Sequence, residues 1–192
     1  MYPTPLIDDP KASRSVMLIS TKIPSERFRQ IPLDHKDITA IELQTEEGPI
    51  RIYNVYNNCT NSEVLETLSR HLANVQTNDN DTTVEDSPML WLGDFNRHHP
   101  MWDELRNEHL FTAANLTEAE KLIDLLAEYD MEMVLPPGTP TLRAFSTGNL
   151  TQTDNVFCSN NIAPAIMHCD TKPDRRPVKT DHFRYAPNST ST

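Results

Sequence analysis

The sequence predicts a mixed α/β (α+β) fold, and three observations carry that expectation. Apolar residues come in short blocks of strand length rather than as an even scatter. Two longer segments repeat apolar side chains at helical spacing, each behind a Thr-x-x-Glu start. The strand-like runs alternate irregularly with these helices, which points to mixed layers rather than a regular βαβ repeat.

Taken in order, residues 1–12 form a Pro- and Asp-bearing lead-in that we expect to be loose. Ser15 to Ser20 (SVMLIS) is a compact apolar run read as a strand. Ile38 to Leu43 and Ile50 to Tyr56 flank a turn at Glu47-Gly48 and read as a hairpin. In the second arm the alternation of Ile50, Ile52, Asn54 and Tyr56 against Arg51, Tyr53 and Val55 is imperfect, so both faces should be at least partly covered.

A helix follows. Thr60 and Glu63 have capping-box spacing, and Val64, Leu65, Leu68, Leu72 and Val75 make one stripe. Thr77 to Ser87 (TNDNDTTVEDS) is acidic and without bulk, too poor in apolar surface to offset its ordering entropy, so a mobile loop is expected. Met89 to Leu92 reads as a buried strand. Thr117 and Glu120 repeat the capping spacing ahead of a second helix to Tyr129, with Leu122, Leu125, Leu126 and Tyr129 inward. Met131 to Leu135, Asn155 to Cys158 and Ile166 to Cys169 are further strands, and residues 186–192 are expected to fray. Residues 1–192 are thus expected to form one domain, long enough to bury a single core.

Net charge is −11, from 17 basic and 28 acidic residues. That balance argues against extensive phosphate neutralisation by Lys and Arg and so predicts weak nucleic-acid binding. It does not exclude a nuclease, because a local carboxylate patch holding a divalent cation reverses the field at the scissile phosphate. Cys59, Cys158 and Cys169 form no Cys-x-x-Cys pair and are odd in number, as expected of free thiols in a reducing compartment. The N-terminus lacks a secretory pattern and no apolar run could span a bilayer. We therefore expect an intracellular protein, nuclear or cytoplasmic, without membrane attachment. The Asn-x-Ser/Thr triplets at Asn115 and Asn149 read as chance matches.

Leu90-Trp91-Leu92-Gly93-Asp94-Phe95-Asn96 is the segment richest in chemical implication. An apolar strand delivers an acid and an amide to its C-terminal edge, and alternation turns Asp94 and Asn96 to one side and Phe95 to the other. A carboxylate can orient or deprotonate a water, and an amide can hold a phosphate oxygen without adding negative charge. Two more pieces extend this. Thr153-Asp154-Asn155-Val156-Phe157 heads a strand with an acid, and Thr180-Asp181-His182-Phe183 puts an acid before a histidine. A histidine held by a buried carboxylate becomes more basic and can meet charge developing on phosphorus.

The order of these pieces resembles the endonuclease/exonuclease/phosphatase superfamily. Arg97-His98-His99-Pro100-Met101-Trp102-Asp103, directly after Gly-Asp-Phe-Asn, resembles its retrotransposon (reverse-transcriptase-associated) endonuclease branch, over about residues 13–183. The resemblance implies a two-sheet β-sandwich flanked by helices, and metal-dependent phosphodiester hydrolysis with DNA as substrate. It makes Asp94 the water-orienting acid, Asn96 the phosphate-contacting amide, Asp181 with Asp94 the carboxylates at Mg2+ (or Mn2+), His182 the residue facing the scissile phosphate, and Asp154 the carboxylate that steadies it. Tyr56 and His98 would contact substrate, although Asn54-Val55-Tyr56-Asn57 lacks the Pro of the family's Tyr-x-Pro-Asn loop. A packed structural role for His98, His99 and Trp102 is the competing reading.

The chain departs from the family at its start. An opening strand with Asn and a second ending Gln-Glu, whose Glu is the main metal ligand, have no match in residues 1–50. Glu42 is the one tempting substitute, but it lies after the segment that corresponds. The fold is therefore expected to lack its first strands through truncation, to bind metal weakly, and to have weak or lost activity. A non-catalytic remnant, or a phosphatase of the same fold, is the alternative.

Overall fold

The computed structural model describes residues 1, 13–78 and 87–189 of the chain. The fold is mixed α/β, as expected, and divides into two compact units, residues 1–93 and 94–192.

In the first unit, β1 (Phe28–Ile31), β2 (Ile38–Gln44), β3 (Pro49–Tyr56) and β4 (Met89–Asp94, whose last residue opens the second unit) lie side by side in that order. The predicted hairpin is present, with Ile41 opposite Ile52 and Glu42 opposite Arg51. Five consecutive residues of β2, Ile38 to Glu42, are buried, so both of its faces are covered. On β3 the side of Arg51, Tyr53 and Val55 is buried, and no residue on the other side is fully exposed. Helix α1 (Glu63–Asn78) buries Val64, Leu65, Leu68 and Leu72, and its His71 stands edge-on to Tyr53 at 5.9 Å.

Several expectations are corrected. Among the described residues, Ser15 to Ser20 makes no strand. Its polar first residue turns inward instead, where Ser15 Oγ donates to the Asn54 carbonyl at 2.8 Å. Thr60 does not cap α1, because the helix begins only at Glu63; its hydroxyl donates to Asn58 Oδ1 instead. The segment 77–87 falls largely outside the described residues. Strand β1 was missed: only half of its FRQI sequence is apolar.

Glu42 is committed to the fold. It accepts from Arg29 Nε at 2.8 Å and Nη2 at 2.9 Å, with Arg51 Nε 3.8 Å away. Its carboxyl lies below the ordinary 4.5, held there first by the Arg29 hydrogen bonds, against burial. A depressed carboxyl contributes stability above its unfolded pKa and loses it as pH falls through the folded value. Glu42→Gln is therefore expected to cost about 1–2 kcal/mol at pH 7, discounted because Arg29 is largely solvent-exposed. The loss should shrink well below pH 4.5. Urea midpoints at the two pH values check this, and an equal loss at both would contradict it.

In the second unit, α2 (Ala113–Glu128) buries Leu122, Leu125 and Leu126, as expected, together with Ala119, and Tyr129 just beyond its end is also buried. It starts earlier than expected, because Thr112 rather than Thr117 accepts the capping bond, from Asn115 N–H at 3.3 Å. A short strand β5 (Met131–Met133) follows, then the two-stranded ribbon of β6 (Leu142–Arg143) and β7 (Leu150–Thr151). Strand β8 (Asp154–Ser159) pairs antiparallel with β5. Strands β9 (Ile166–Lys172) and β10 (Arg184–Ser189) form a second ribbon; of the tail expected to be loose, residues 186–189 lie in β10 and 190–192 lie outside the described residues. All three cysteines are free, with Cys158 and Cys169 buried. Among the described residues no helix is long and apolar enough to cross a membrane.

Candidate active site

Strand β4 ends on Asp94, and the chain turns at once. Phe95 is 1% exposed, stands edge-on to Phe157 of β8 at 5.2 Å, and donates its N–H to the Thr153 carbonyl at 3.0 Å. Asn96 takes a left-handed conformation (φ 49°), which asparagine tolerates better than most residues. That turn brings Asn96 back onto Asp94: its N–H donates to Oδ1 at 3.1 Å and its amide Nδ2 to Oδ2 at 2.9 Å. The two side chains share a site, as strand alternation predicted, but through an Asx-type turn rather than a continued strand.

The turn is pinned from behind. Arg97, 3% exposed, donates to the Asn96 carbonyl at 2.9 Å and to the Glu118 carbonyl at 3.1 Å, and Trp102 Nε1 donates to the Arg97 carbonyl at 2.9 Å. Sequence reasoning missed Arg97. Its only signal was a basic residue directly behind the acid–amide pair.

Asp154 heads β8 and is 8% exposed. Its N–H donates to Thr141 Oγ1 at 3.0 Å, and its Oδ2 accepts from His182 Nδ1 at 2.8 Å. Main-chain bonds dock His182: Arg143 N–H to the Asp181 carbonyl at 2.8 Å and Phe183 N–H to the Thr141 carbonyl at 2.5 Å. The opposite ring nitrogen, Nε2, lies 3.9 Å from Asp94 Oδ2 and 3.8 Å from Asp181 Oδ1. Asp94, Asn96, Asp154 and His182, from three distant stretches, therefore converge. Ligand atoms of Asp94, Asp154 and His182 all lie within 4.8 Å of one another.

This crowding shapes the charges. The Asp94 carboxyl is pushed up to about 7, first by burial and then by the charge of Asp154, with His182 and the Asn96 bonds pulling the other way. His182 is raised to about 9, chiefly by its hydrogen bond to Asp154, with the charges of Asp154, Asp94 and Asp181 adding and burial opposing. At neutral pH the imidazole is cationic. It is held by one acid at Nδ1 and presents Nε2–H toward two others.

His98 does not stand with this group as a bare side chain. Its Nδ1 donates to Asp103 Oδ2 at 2.8 Å, and Asp103 Oδ1 accepts from Gln152 N–H at 2.9 Å and Asn107 Nδ2 at 3.3 Å. Asp103, 6% exposed, thereby ties the segment after Asn96 to the segment that leads into Asp154. Its role was not read from sequence, since a lone Asp after Trp102 looks like any turn residue. Trp102 is 1% exposed with His99 tilted against its ring at 5.3 Å, so this loop is packed. Tyr56 belongs to the first unit, where the Arg14 guanidinium sits 4.7 Å over its ring and Arg14 also pairs with Asp37.

A family model described as endonuclease-reverse transcriptase matches residues 50–185, well over half of the chain and inclusive of all four converging residues. No curated protein matches it in sequence. Among solved structures it is similar to the endonuclease domain of TRAS1, a telomere-specific non-LTR retrotransposon. That match has 17% identity over 90% of this chain and 71% of the other, with a TM-score of 0.63. It is also similar to the AP endonuclease LMAP from Leishmania major, at 12% identity, 90% and 59% coverage and a TM-score of 0.61. A third, the 3′-5′ exonuclease NExo from Neisseria meningitidis, gives 14% identity, 84% and 70% coverage and a TM-score of 0.56. At these identities the likeness is one of fold, and the fold is one that nucleases share. With the family match spanning the acid–amide turn, the Asp154 strand and His182, the chain belongs to the endonuclease-reverse transcriptase family.

Proposed function

We propose that this chain is a divalent-metal-dependent DNA endonuclease of the retroelement type, acting inside the cell. The observation that carries the reading is the convergence of a carboxylate, an amide and an acid-held cationic imidazole within a few ångströms. In that reading Asp94 orients a water and accepts its proton, a task suited to a carboxyl that titrates near neutral pH. Asn96 donates to a non-bridging phosphate oxygen. His182 presents Nε2–H to the charge that develops as the phosphorus–oxygen bond breaks, while Asp154 holds the ring by Nδ1. Tyr56 and His98 serve as substrate contacts in this reading.

The donor set suits a hard dication in type. Asp94 and Asp181 would hold Mg2+ or Mn2+, because both carboxylates face the His182 Nε2 edge, at 3.9 and 3.8 Å, and Asp181 is 37% exposed and open to an ion. His182 is not a ligand in this scheme, since a protonated ring committed to Asp154 has no lone pair to give. When bound, the ion would draw off charge from the phosphate and ease ionisation of the attacking water. Two protein carboxylates make a thin shell, so affinity is expected to be low.

The test is nicking of supercoiled plasmid with Mg2+ or Mn2+. Asp94→Ala and Asn96→Ala are each expected to slow it by about 10²–10⁴-fold. Chelator should abolish it, and undiminished nicking in both variants would refute the assigned roles. The thin shell favours one second reading, a family member that keeps the fold without turnover. A folded native chain that stays inert in saturating Mn2+ would select it.

A further inference from the structure

A cavity of about 280 Å³ opens in the first unit beside Arg29, Glu42, Arg51, Tyr53, His71 and Asn74, with an apolar rim. It draws residues from β1, β2, β3 and α1, and none of the proposed catalytic residues lines it.

Arg51 is its floor. The residue is only 8% exposed, and its guanidinium meets Glu42 at 3.8 Å, beyond hydrogen-bond distance. Both oxygens of Glu42 are already taken by Arg29, which grips them with two bonds. Among the described residues no acceptor satisfies the Arg51 side chain. None of its nitrogens is fully shielded, so they keep access to the cavity and can take an acceptor placed there.

A second buried group points the same way. His71 Nε2 is wholly shielded from solvent and has no hydrogen-bond partner. Burial and the charge of Arg51 lower its pKa, so the ring is neutral and can offer Nε2–H as a donor. The two arginines outweigh Glu42 by one positive charge, and the walls of Tyr53 and His71 are flat and partly apolar. A planar guanidinium fork with a flanking N–H matches a small oxyanion. The volume lies just under the ~300–1,000 Å³ typical of drug-sized ligands, which suits a small one.

We propose that this cavity is a binding site for a small oxyanion, a phosphate or a carboxylate, held by Arg51 and His71 with Asn74 at its edge. The site stands apart from the nuclease reading, and nicking plays no part in testing it.

The probe is inorganic phosphate, titrated into the full chain at neutral pH in parallel with acetate. Long-range 1H–15N spectra of the histidine rings and thermal melts report on it. Phosphate or acetate should move the His71 Nε2 resonance saturably and raise the melting temperature, and the stronger of the two names the anion. Arg51→Gln should weaken binding at least tenfold. Glu42→Gln should tighten it severalfold, because it removes the competing negative charge while keeping the shape. If Arg51→Gln does not fold, His71→Phe, which keeps the ring and removes both nitrogens, should abolish the saturable rise in melting temperature. A response at His182 with none at His71 would overturn the proposal, as would native-like binding in Arg51→Gln or unchanged affinity in Glu42→Gln.

Discussion

Asp154→Asn is expected to return His182 from about 9 toward the ordinary imidazole value of 6.5. The largest single cause of the elevation is the hydrogen bond to Asp154 Oδ2 at 2.8 Å, and an amide there offers no charge to balance an imidazolium. At pH 7.5 the ring then becomes mostly neutral, and nicking should fall by about 10²–10³-fold if a cationic donor serves the reaction. His182→Ala should do at least as much harm. The titration can be followed by NMR of His182 in chelator, so it is readable even if turnover is slow. A stability signature accompanies it. A histidine whose folded pKa is raised contributes stability that is fully present below its unfolded pKa and is lost as pH rises through about 9. Native protein should therefore weaken between pH 6.5 and 9 more steeply than Asp154→Asn. Should His182 titrate identically in the two proteins, the Asp154 assignment is wrong.

Gly93→Ala is the second large effect. Gly93 sits at φ +137° inside β4, a conformation that favours glycine, and an added Cβ would run into the Val55 carbonyl of β3. Backbone on both sides means neither partner can swing away. Conformational strain of about 1–3 kcal/mol and overpacking of similar size add, so we expect a loss of at least ~3 kcal/mol. Denaturant unfolding measures it. A variant within about 1 kcal/mol of native would show that β3 and β4 separate more readily than their close approach implies.

Much of the site was legible because its chemistry lies in short contiguous motifs. Asp94 and Asn96 were read from one strand end, and Asp154 and His182 from two others. The hairpin of β2 and β3 was legible from apolar runs either side of a Gly-bearing turn. What escaped notice depends on partners far along the chain. Ser15 to Ser20 has strand composition, but its Ser15 hydroxyl bonds Asn54, and among the described residues no ladder forms. Thr60 and Thr117 have capping spacing, yet Asn58 engages one and Thr112 pre-empts the other. Strands β6, β7 and β10 are short or end-of-chain pairings that local pattern does not mark. Asp103 and Thr141 act by accepting main-chain N–H groups at Gln152 and Asp154, a role that depends on loop geometry rather than residue type.

Those last two bonds bear on how a substrate would be met. The main-chain N–H groups of Gln152 and Asp154 are fastened by side chains from separate loops, so the segment carrying Asp154 has little freedom left to surrender. The entropy of arranging it was spent when the protein folded, and a substrate at the proposed site would find the imidazole and its carboxylate already aligned. Whatever limits affinity here, loop ordering around Asp154 contributes little to it.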